Sequence, residues 1–546
     1  MQRDLRLLES HEFDMLVIGS GMYGACLARE AAMRGLRVAL IDKGDFGEAT
    51  SANSLKVIHG GLRYLQHFNW IRMRESIRAR RQLLTIAPYL VRPRRFLMPT
   101  RGLGLQSKWV MRAALLINDL ISADRNRGIT AARKTPRGRI LSRREFVDLV
   151  PEMSQISSTG AAEWSDGYVE HTERLMMALV HSAVQLKAVA ANYVCADSYI
   201  LDGTRIKGAN VTDSLTGRSF RIAAKSVVNT AGPGSASLNA DLPGQAPGND
   251  LSWVKGYNLF IRRPLFPEAV GLSSTTRHVD RDAVIDKGSR LYFFVPWQGG
   301  TLVGTDYAPA RQDGDPTGLD QGQLQAMLNE INAMYPDADV KPDDVAFCHA
   351  GLLPASNRDE SIDAAARLLK HTRVIDHQAS SGITGLYTVT GIKYTVAPQV
   401  VITVLDNILS SMNVHAPRPD PEPVLYGAES IDENSGGSEN ARLYERYGSR
   451  YVELIGLADE VTGRAACVDD DTGTTVAEVI HAVRNEMAMT LPDVVYRRTA
   501  IGMIGKPSDQ TLAGVAEIMA RELDWDAQQV EHEIRSVSED SSYCRS

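Results

Sequence analysis

The sequence predicts an α/β protein of several domains: a parallel-sheet nucleotide-binding domain at the start, a strand-rich middle and a helical C-terminal region. Three observations carry this. Residues 13–42 run strand, glycine turn, helix, strand, acid; short strand-like runs fill about 250–350; helix-period segments dominate beyond residue 437. At 546 residues the chain exceeds what one hydrophobic core can serve. Its 44% hydrophobic and 23% charged residues are ordinary for a globular protein.

Taken in order, residues 1–12 read as a short N-terminal extension. Met1-Gln2-Arg3-Asp4-Leu5-Arg6 alternates charge with leucine and lacks a signal-peptide core. The apolar run Phe13-Asp14-Met15-Leu16-Val17-Ile18 then breaks into Gly19-Ser20-Gly21-Met22-Tyr23-Gly24. A helix-forming segment (Ala25 to Gly35) and a second apolar run (Val38 to Ile41) ending on Asp42 follow. This is the dinucleotide-binding unit read in sequence. Gly19 permits the tight turn, Gly21 lets the backbone approach a pyrophosphate, and Gly24 lets the helix pack close to the sheet. The first-turn N–H groups have no partners inside the helix and favour phosphate. Asp42 alone reads as a solvated strand-end acid; its spacing makes it an acceptor for a ribose hydroxyl.

The unit does not separate NAD from FAD. Downstream come Thr50-Ser51-Ala52-Asn53-Ser54-Leu55-Lys56 and His59-Gly60-Gly61-Leu62-Arg63-Tyr64-Leu65, too dense in small hydroxyl residues and glycines for a packing pattern. Ser226-Val227-Val228-Asn229-Thr230-Ala231-Gly232-Pro233-Gly234 is another strand running into a glycine turn, and Gly385 through Thr390-Gly391-Ile392-Lys393-Tyr394 is a third.

These motifs, in this order, resemble the FAD-dependent, quinone-linked glycerol-3-phosphate dehydrogenase family of the D-amino-acid-oxidase-like flavoproteins. The stretch Ala477 to Ile480 through Glu486, Asp493 and Arg497-Arg498-Thr499 resembles the family's helical domain, so the likeness covers nearly the whole chain beyond the first dozen residues. The resemblance implies an α/β fold with a Rossmann-like FAD-binding domain, an antiparallel β substrate domain and a C-terminal helical domain. The oxidoreductase domain would span 13–415, with flavin-binding pieces at about 13–70, 155–250 and 350–410 and the substrate sheet at about 250–350. Residues 416–437, rich in Pro, Ser and Gly, read as a linker to the helical domain at 438–540.

The implied activity is oxidation of a secondary alcohol on a small polyol phosphate, by default glycerol 3-phosphate to dihydroxyacetone phosphate. Hydride would pass to flavin N5 and electrons to quinone. Gly19, Gly21, Gly24 and Asp42 would hold the adenosine diphosphate part, and Thr50, Ser51, Ser54 and Gly232 the pyrophosphate and flavin side. Lys56, Gly391, Ile392 and Lys393 would lie at the isoalloxazine. His59, Arg63 and Lys393 are the catalytic candidates; Arg63, Tyr64, Asn258, Lys370 and Lys393 are the substrate-binding ones. Arg63 suits phosphate through bidentate, charge-assisted bonds. His59 reads equally as a structural hydrogen-bond partner, and Tyr64 as a packing residue.

Two positions depart from the family. Its Gly-Val-Arg-Pro stretch, whose arginine binds the substrate phosphate, is here Gly351-Leu352-Leu353-Pro354, and its Gly-Ser-His is Gly256-Tyr257-Asn258. Leu353 cannot bind an anion, and Asn258 cannot accept a proton near neutral pH. Arg358 or Arg373 would have to compensate, or the substrate differs: a modified polyol, a hydroxy acid or an amine, oxidised by a dehydrogenase or an oxidase. A flavin-binding partner protein that has lost catalysis is the third reading.

The net charge of −6 gives no overall attraction to nucleic acid. Five scattered cysteines without CxxC spacing argue against disulfides or a metal site and for a cytoplasmic chain. Residues 72–144 are strongly basic, and the segment from Trp109 to Ile121 could form a helix with an apolar face. It reads as a peripheral anchor on the inner face of the membrane or as a domain helix with solvated arginines. The resemblance also allows a homodimer.

Overall fold

The computed structural model describes residues 1–62, 69–242, 251–276, 290–310, 318–356, 368–430, 440–462 and 466–540. The run predicted as one strand from Phe13 to Ile18 divides at Asp14. Glu12–Phe13 pairs in parallel with Ser219–Ala224 at the edge of a four-stranded sheet. Met15–Ile18 enters a six-stranded sheet between Val38–Ile41 and Val227–Asn229, all three parallel. Its four residues are all buried, as a strand covered on both faces requires. Leu386–Thr390 continues the sheet in parallel, Arg373–Asp376 closes that edge antiparallel, and Val189–Ala191 forms the other. Helices Met22–Met33, Thr172–Gln185 and Ala397–Ser411 pack into one core on this sheet through Ala25, Ala28, Leu175, Leu179, Val401 and Leu405.

The second large sheet has nine strands. Val345–Ser356, Leu251–Ile261, Gly300–Pro309, Leu291–Trp297, Ala269–Ser273, Val91–Thr100, Gly160–Val169 and Val57–Ile58 follow in that order, with Arg139–Ser142 also on Gly160–Val169. It is antiparallel except where Ala269–Ser273 meets Val91–Thr100. The sheet expected from about 250–350 therefore draws in strands from residues 57–169. Gly160–Val169, placed by sequence with the flavin-binding pieces, belongs here, and so does the stretch to Ser356. Nearly every residue of Gly160–Val169 is buried, so no alternation marked which sheet it joins. The turn expected around Pro296–Gly300 is a two-residue hairpin at Gln298-Gly299; both residues have positive φ (46° and 74°), the handedness that matches strand twist.

Two segments are better integrated than their composition suggests. Within the expected extension, Leu5–Ser10 is a helix capped by the Asp4 carboxylate, which accepts from the Leu7 amide at 2.9 Å. Leu8 is fully buried, Arg3 pairs with Asp213, and the Met1 amine donates to the Asn485 carbonyl at 2.6 Å. The expected linker is, as far as residue 430, a fixed strap. Glu422 accepts from Arg29 at 2.7 Å, Arg418 donates to Glu30 at 3.0 Å, and the buried Leu425 donates its amide to Ile86 at 2.8 Å. Prolines restrict the strap's backbone, and its charges find partners on the Met22–Met33 helix.

The C-terminal region is helical as expected, with helices Ala441–Tyr447, Tyr451–Thr462, Val476–Glu486, Asp509–Leu523 and Ala527–Ser538. Thr475 and Glu478 form a capping box at the third. Val479, Ala482, Leu512, Val515 and Met519 pack against Phe260, Trp297 and Phe347 of the nine-stranded sheet, joining the two in one core. Cys26, Cys195 and Cys467 form no disulfide, and among the described residues no helix is long and apolar enough to cross a membrane.

His171 and His181, which open and line the Thr172–Gln185 helix, are buried. Burial first, then the nearby Arg446 charge, holds His171 well below its ordinary range; burial does the same to His181 against the pull of Glu486. A histidine kept neutral by folding takes up a proton more readily when unfolded, so stability rises with pH through the ordinary imidazole value of 6.5 and falls below it. The melting temperature should drop measurably between pH 7.5 and 5.5 in a thermal scan, ahead of the carboxylate range. A flat profile there would contradict the neutral assignment.

Candidate active site

The glycine turn is built for close approach. Gly19 has φ +95°, and a Cβ on it would lie 2.7 Å from the Ala231 Cα; a Cβ on Gly24 would overlap the Gly19 carbonyl oxygen. The strands Met15–Ile18 and Val227–Asn229 thus bring the turns at Gly19 and Gly232 together, and Thr230 Oγ1 donates to the Gly19 carbonyl at 2.7 Å. Gly21 caps the Met22–Met33 helix without a side chain, leaving its N-terminus open, while Ser51 Oγ accepts from the Met22 amide at 3.0 Å. Asp42 Oδ2 accepts from the Ser20 amide (2.6 Å) and hydroxyl (2.7 Å), so the acid fixes the turn's shape. Its Oδ1 takes a longer bond from Gly44 at 3.2 Å and keeps acceptor capacity for a ribose hydroxyl. Open first-turn amides, space only a glycine leaves and a half-free carboxylate fit a dinucleotide such as FAD.

The loop after Asp42 crosses towards the nine-stranded sheet. Thr50 Oγ1 donates to the Leu352 carbonyl at 2.9 Å, and Ser54 Oγ accepts from the Lys56 amide at 3.3 Å. Lys56, expected as a charge beside the isoalloxazine, is fully buried in an ion pair with Glu173 and donates to Thr172 Oγ1 at 2.9 Å. Its charge is already matched inside the protein, which argues against a free counter-charge for the reduced flavin. Glu173 lies 117 residues away, so no local pattern announced it.

His59 stands between the nine-stranded and the six-stranded sheets. Its amide donates to Thr395 Oγ1 at 3.3 Å, which puts it beside the Gly391-Ile392-Lys393 turn; its ring lies 5.9 Å from that of Phe293. The imidazole is half-exposed, with Nδ1 3.8 Å from the buried Asp166 Oδ2. Asp166 also accepts from Arg80 (2.5 Å), the Gly60 amide (2.6 Å) and Trp164 Nε1 (3.2 Å). Burial would raise this carboxyl, but His59, Arg80 and Gly60 outweigh it and hold it below its ordinary value. Asp166 and Arg80 are candidate site residues that sequence reading missed; Asp166 sits 106 residues from Gly60 in an ordinary strand.

Tyr23 reaches from the first turn of the nucleotide-binding helix, its hydroxyl 3.0 Å from Thr372 Oγ1 and 3.2 Å from the Lys393 carbonyl. A Cβ on Gly391 would strike its ring. This hydroxyl ties the Lys370-His371-Thr372 segment to the Lys393 turn. Burial and then the positive charges of Arg72, Lys393 and Lys370 hold His371 below the usual imidazole range, despite Glu75. Arg72, Lys370 and Lys393 therefore form a cationic group around His371. Asn258 is buried and accepts from Thr305 Oγ1 at 2.7 Å; Leu353 lies beside Gly256 on the neighbouring strand. Arg63, Tyr64 and Arg358 lie outside the described residues.

A family model described as FAD dependent oxidoreductase matches residues 14–398, and one described as the C-terminal domain of alpha-glycerophosphate oxidase matches 430–530. A glycerol-3-phosphate dehydrogenase of Synechocystis sp. is 29% identical over 561 residues, covering 98% of each chain. The mitochondrial glycerol-3-phosphate dehydrogenase of Homo sapiens is 27% identical over 559 residues, 96% of this chain and 72% of that one. In fold, the chain is similar to the glycerol-3-phosphate dehydrogenase from Bacillus halodurans solved with FAD. The TM-score is 0.74 at 22% identity, over 98% of this chain and 96% of that one. With a model match over most of its length, the chain belongs to the FAD dependent oxidoreductase family and takes FAD as its cofactor.

Proposed function

We propose that this chain is a glycerol-3-phosphate dehydrogenase that oxidises the secondary alcohol of its substrate to dihydroxyacetone phosphate and passes the electrons to quinone. The observation that carries this is the placement of His59, backed by Asp166, beside the Lys393 turn and the cationic group around His371. When bound, FAD supplies the hydride acceptor. His59 takes the hydroxyl proton as the hydride leaves, and Asp166 orients the imidazole and balances the charge it acquires. Lys393, Lys370 and Arg72 draw in the phosphate, a job the family's arginine does at the position of Leu353. The names of the Synechocystis and human relatives point to the same substrate.

Anaerobic addition of glycerol 3-phosphate to the FAD-loaded protein should bleach the flavin within the first turnover, while glycerol and hydroxy acids leave it oxidised. Bleaching by a different member of that panel would support the second reading, a changed substrate, which Leu353 and Asn258 favour. Release of hydrogen peroxide in step with substrate would mark an oxidase.

Quinone is a membrane solute, and the Lys108–Ile121 helix offers a contact for the bilayer. Of its apolar residues Leu115 is buried, but Trp109, Leu116 and Leu120 are 63%, 62% and 78% exposed, next to exposed Leu103 and Leu105. Lys108 and Arg112 lie exposed among them. An exposed apolar face with a tryptophan and basic neighbours supports peripheral insertion into an anionic surface. The protein should sediment with vesicles containing anionic lipid at low salt, and Leu116→Ser with Leu120→Ser should abolish this. Equal recovery of wild type and double variant in the supernatant would exclude the anchor.

A further inference from the structure

Within the glycine turn Gly19-Ser20-Gly21-Met22-Tyr23-Gly24, the dinucleotide motif specifies glycines and leaves the position of Tyr23 open. Tyr23 is 9% exposed, with its ring against the turn that carries Lys393. A Cβ on Gly391 would lie 2.1 Å from the Tyr23 Cε2 and 2.2 Å from its Cδ2. Gly391 is not in the left-handed region, so the ring rather than the backbone keeps a side chain from that position.

The hydroxyl stands where a ladder ends. Arg373–Asp376 pairs with Leu386–Thr390 as far as Arg373 against Thr390. Beyond that pair, Gly391 opens the Lys393 turn, while Thr372 joins the strand to His371 and Lys370. Tyr23 Oη bridges the two segments, 3.0 Å from Thr372 Oγ1 and 3.2 Å from the Lys393 carbonyl. A carbonyl only accepts, so the phenol donates to Lys393 and accepts from Thr372. Burial raises the phenol above its ordinary value, against the pull of these two bonds, so it keeps the proton it donates. The same turn takes the His59 amide on Thr395 Oγ1 at 3.3 Å.

We propose that Tyr23 is a positioning residue for substrate binding. Its hydroxyl, carried by the nucleotide-binding helix, holds the Lys393 turn and the Lys370–Thr372 segment at a fixed spacing. Groups set in place before a ligand arrives need not be ordered by it, so loosening either segment weakens binding. The inference rests on the proposed role of Lys370 and Lys393 in drawing in the substrate phosphate. A packing residue at this position would need only the ring.

The test is Tyr23→Phe, which keeps the ring and removes the hydroxyl, in the full-length FAD-loaded protein. Stopped-flow bleaching over a range of glycerol 3-phosphate concentrations separates substrate affinity from the limiting reduction rate. The substrate dissociation constant should rise about tenfold, while the limiting rate and the FAD dissociation constant stay within about threefold of wild type. Thr372→Val removes one partner of the same hydroxyl and should cost less. Added to Tyr23→Phe, it should cost nothing further, because both act on one interaction. A substrate affinity of Tyr23→Phe within about twofold of wild type overturns the proposal. So does a loss of stability and FAD affinity with substrate affinity intact, the pattern of a packing residue. Hydrogen exchange reads the tie without substrate. In Tyr23→Phe it should quicken about tenfold across 370–375 and 390–396 and match wild type elsewhere. Should glycerol 3-phosphate fail to bleach the wild type, the proposed activity falls and exchange alone decides the tie. Unchanged exchange in both segments then overturns it.

Discussion

Arg498→Ala should destabilise the protein by about 3–5 kcal/mol, the usual consequence of removing one partner from a buried ion pair, and should weaken FAD binding with it. Arg498 is fully buried and grips Asp45 with both terminal nitrogens, Nη1 to Oδ2 and Nη2 to Oδ1, each at 2.7 Å. It also donates to the Glu486 carbonyl at 2.9 Å. Arg497 adds a bond to Asp45 Oδ2 at 2.6 Å and another to Asp493 at 2.6 Å. Burial alone would raise the Asp45 carboxyl, but the Arg498 and Arg497 charges hold it far below its ordinary value, so the cluster stays ionised at every working pH. Asp45 lies three residues beyond Asp42 and five before Thr50, so the C-terminal region clamps the loop between them, where the sequence reading places FAD-binding side chains. Chemical denaturation and FAD titration should both register the loss. Arg498→Lys should recover only part of it, because an ammonium cannot match both carboxylate oxygens in one plane. An unchanged FAD affinity in a destabilised Arg498→Ala would restrict the clamp to folding.

That cluster also shows what could be read from the sequence. The strand at Met15–Ile18, its glycine turn and Asp42 were legible because each is a local signal: a period, a missing side chain, a spacing. Arg497 and Arg498 were visible only as a likeness, since their partner Asp45 is 453 residues from Arg498. Pairing across such a distance leaves no periodicity. The same holds for Glu173 against Lys56 and for Asp166 against His59. Buried charges are rare unless paired, but which charges are buried is decided by the sheet order, and the burial pattern of Gly160–Val169 concealed that order. The strap at 416–430 misled for the opposite reason. Its prolines and charges resemble a free linker, although Arg29, Glu30 and Gln82 hold it.

His59→Gln should lower the rate of flavin reduction by glycerol 3-phosphate by about 10²–10³-fold, within the range general-base groups contribute. FAD affinity and the spectrum of the oxidised flavin should be unchanged. Glutamine fills similar space and can still hydrogen-bond, so what it removes is proton acceptance. Asp166→Asn tests the other half of the pair. The Asp166 carboxylate is held ionised by Arg80, the Gly60 amide and its neighbour His59, so it does not titrate in the working range, and its role is to orient the imidazole and oppose the charge that arises there. An amide at this position carries no charge and accepts from Gly60 or from Trp164 but not from both, because those bonds go to different carboxylate oxygens. The reduction rate should fall by about tenfold or more while the KM for substrate moves little, because the interaction matters only as the proton transfers. A merely structural Asp166 would give a different pattern: loss of stability and FAD together, with the rate per bound flavin intact. If His59→Gln reduces its flavin as fast as wild type, the proton leaves by another route. The half-exposed imidazole between the two sheets is then a packing residue after all.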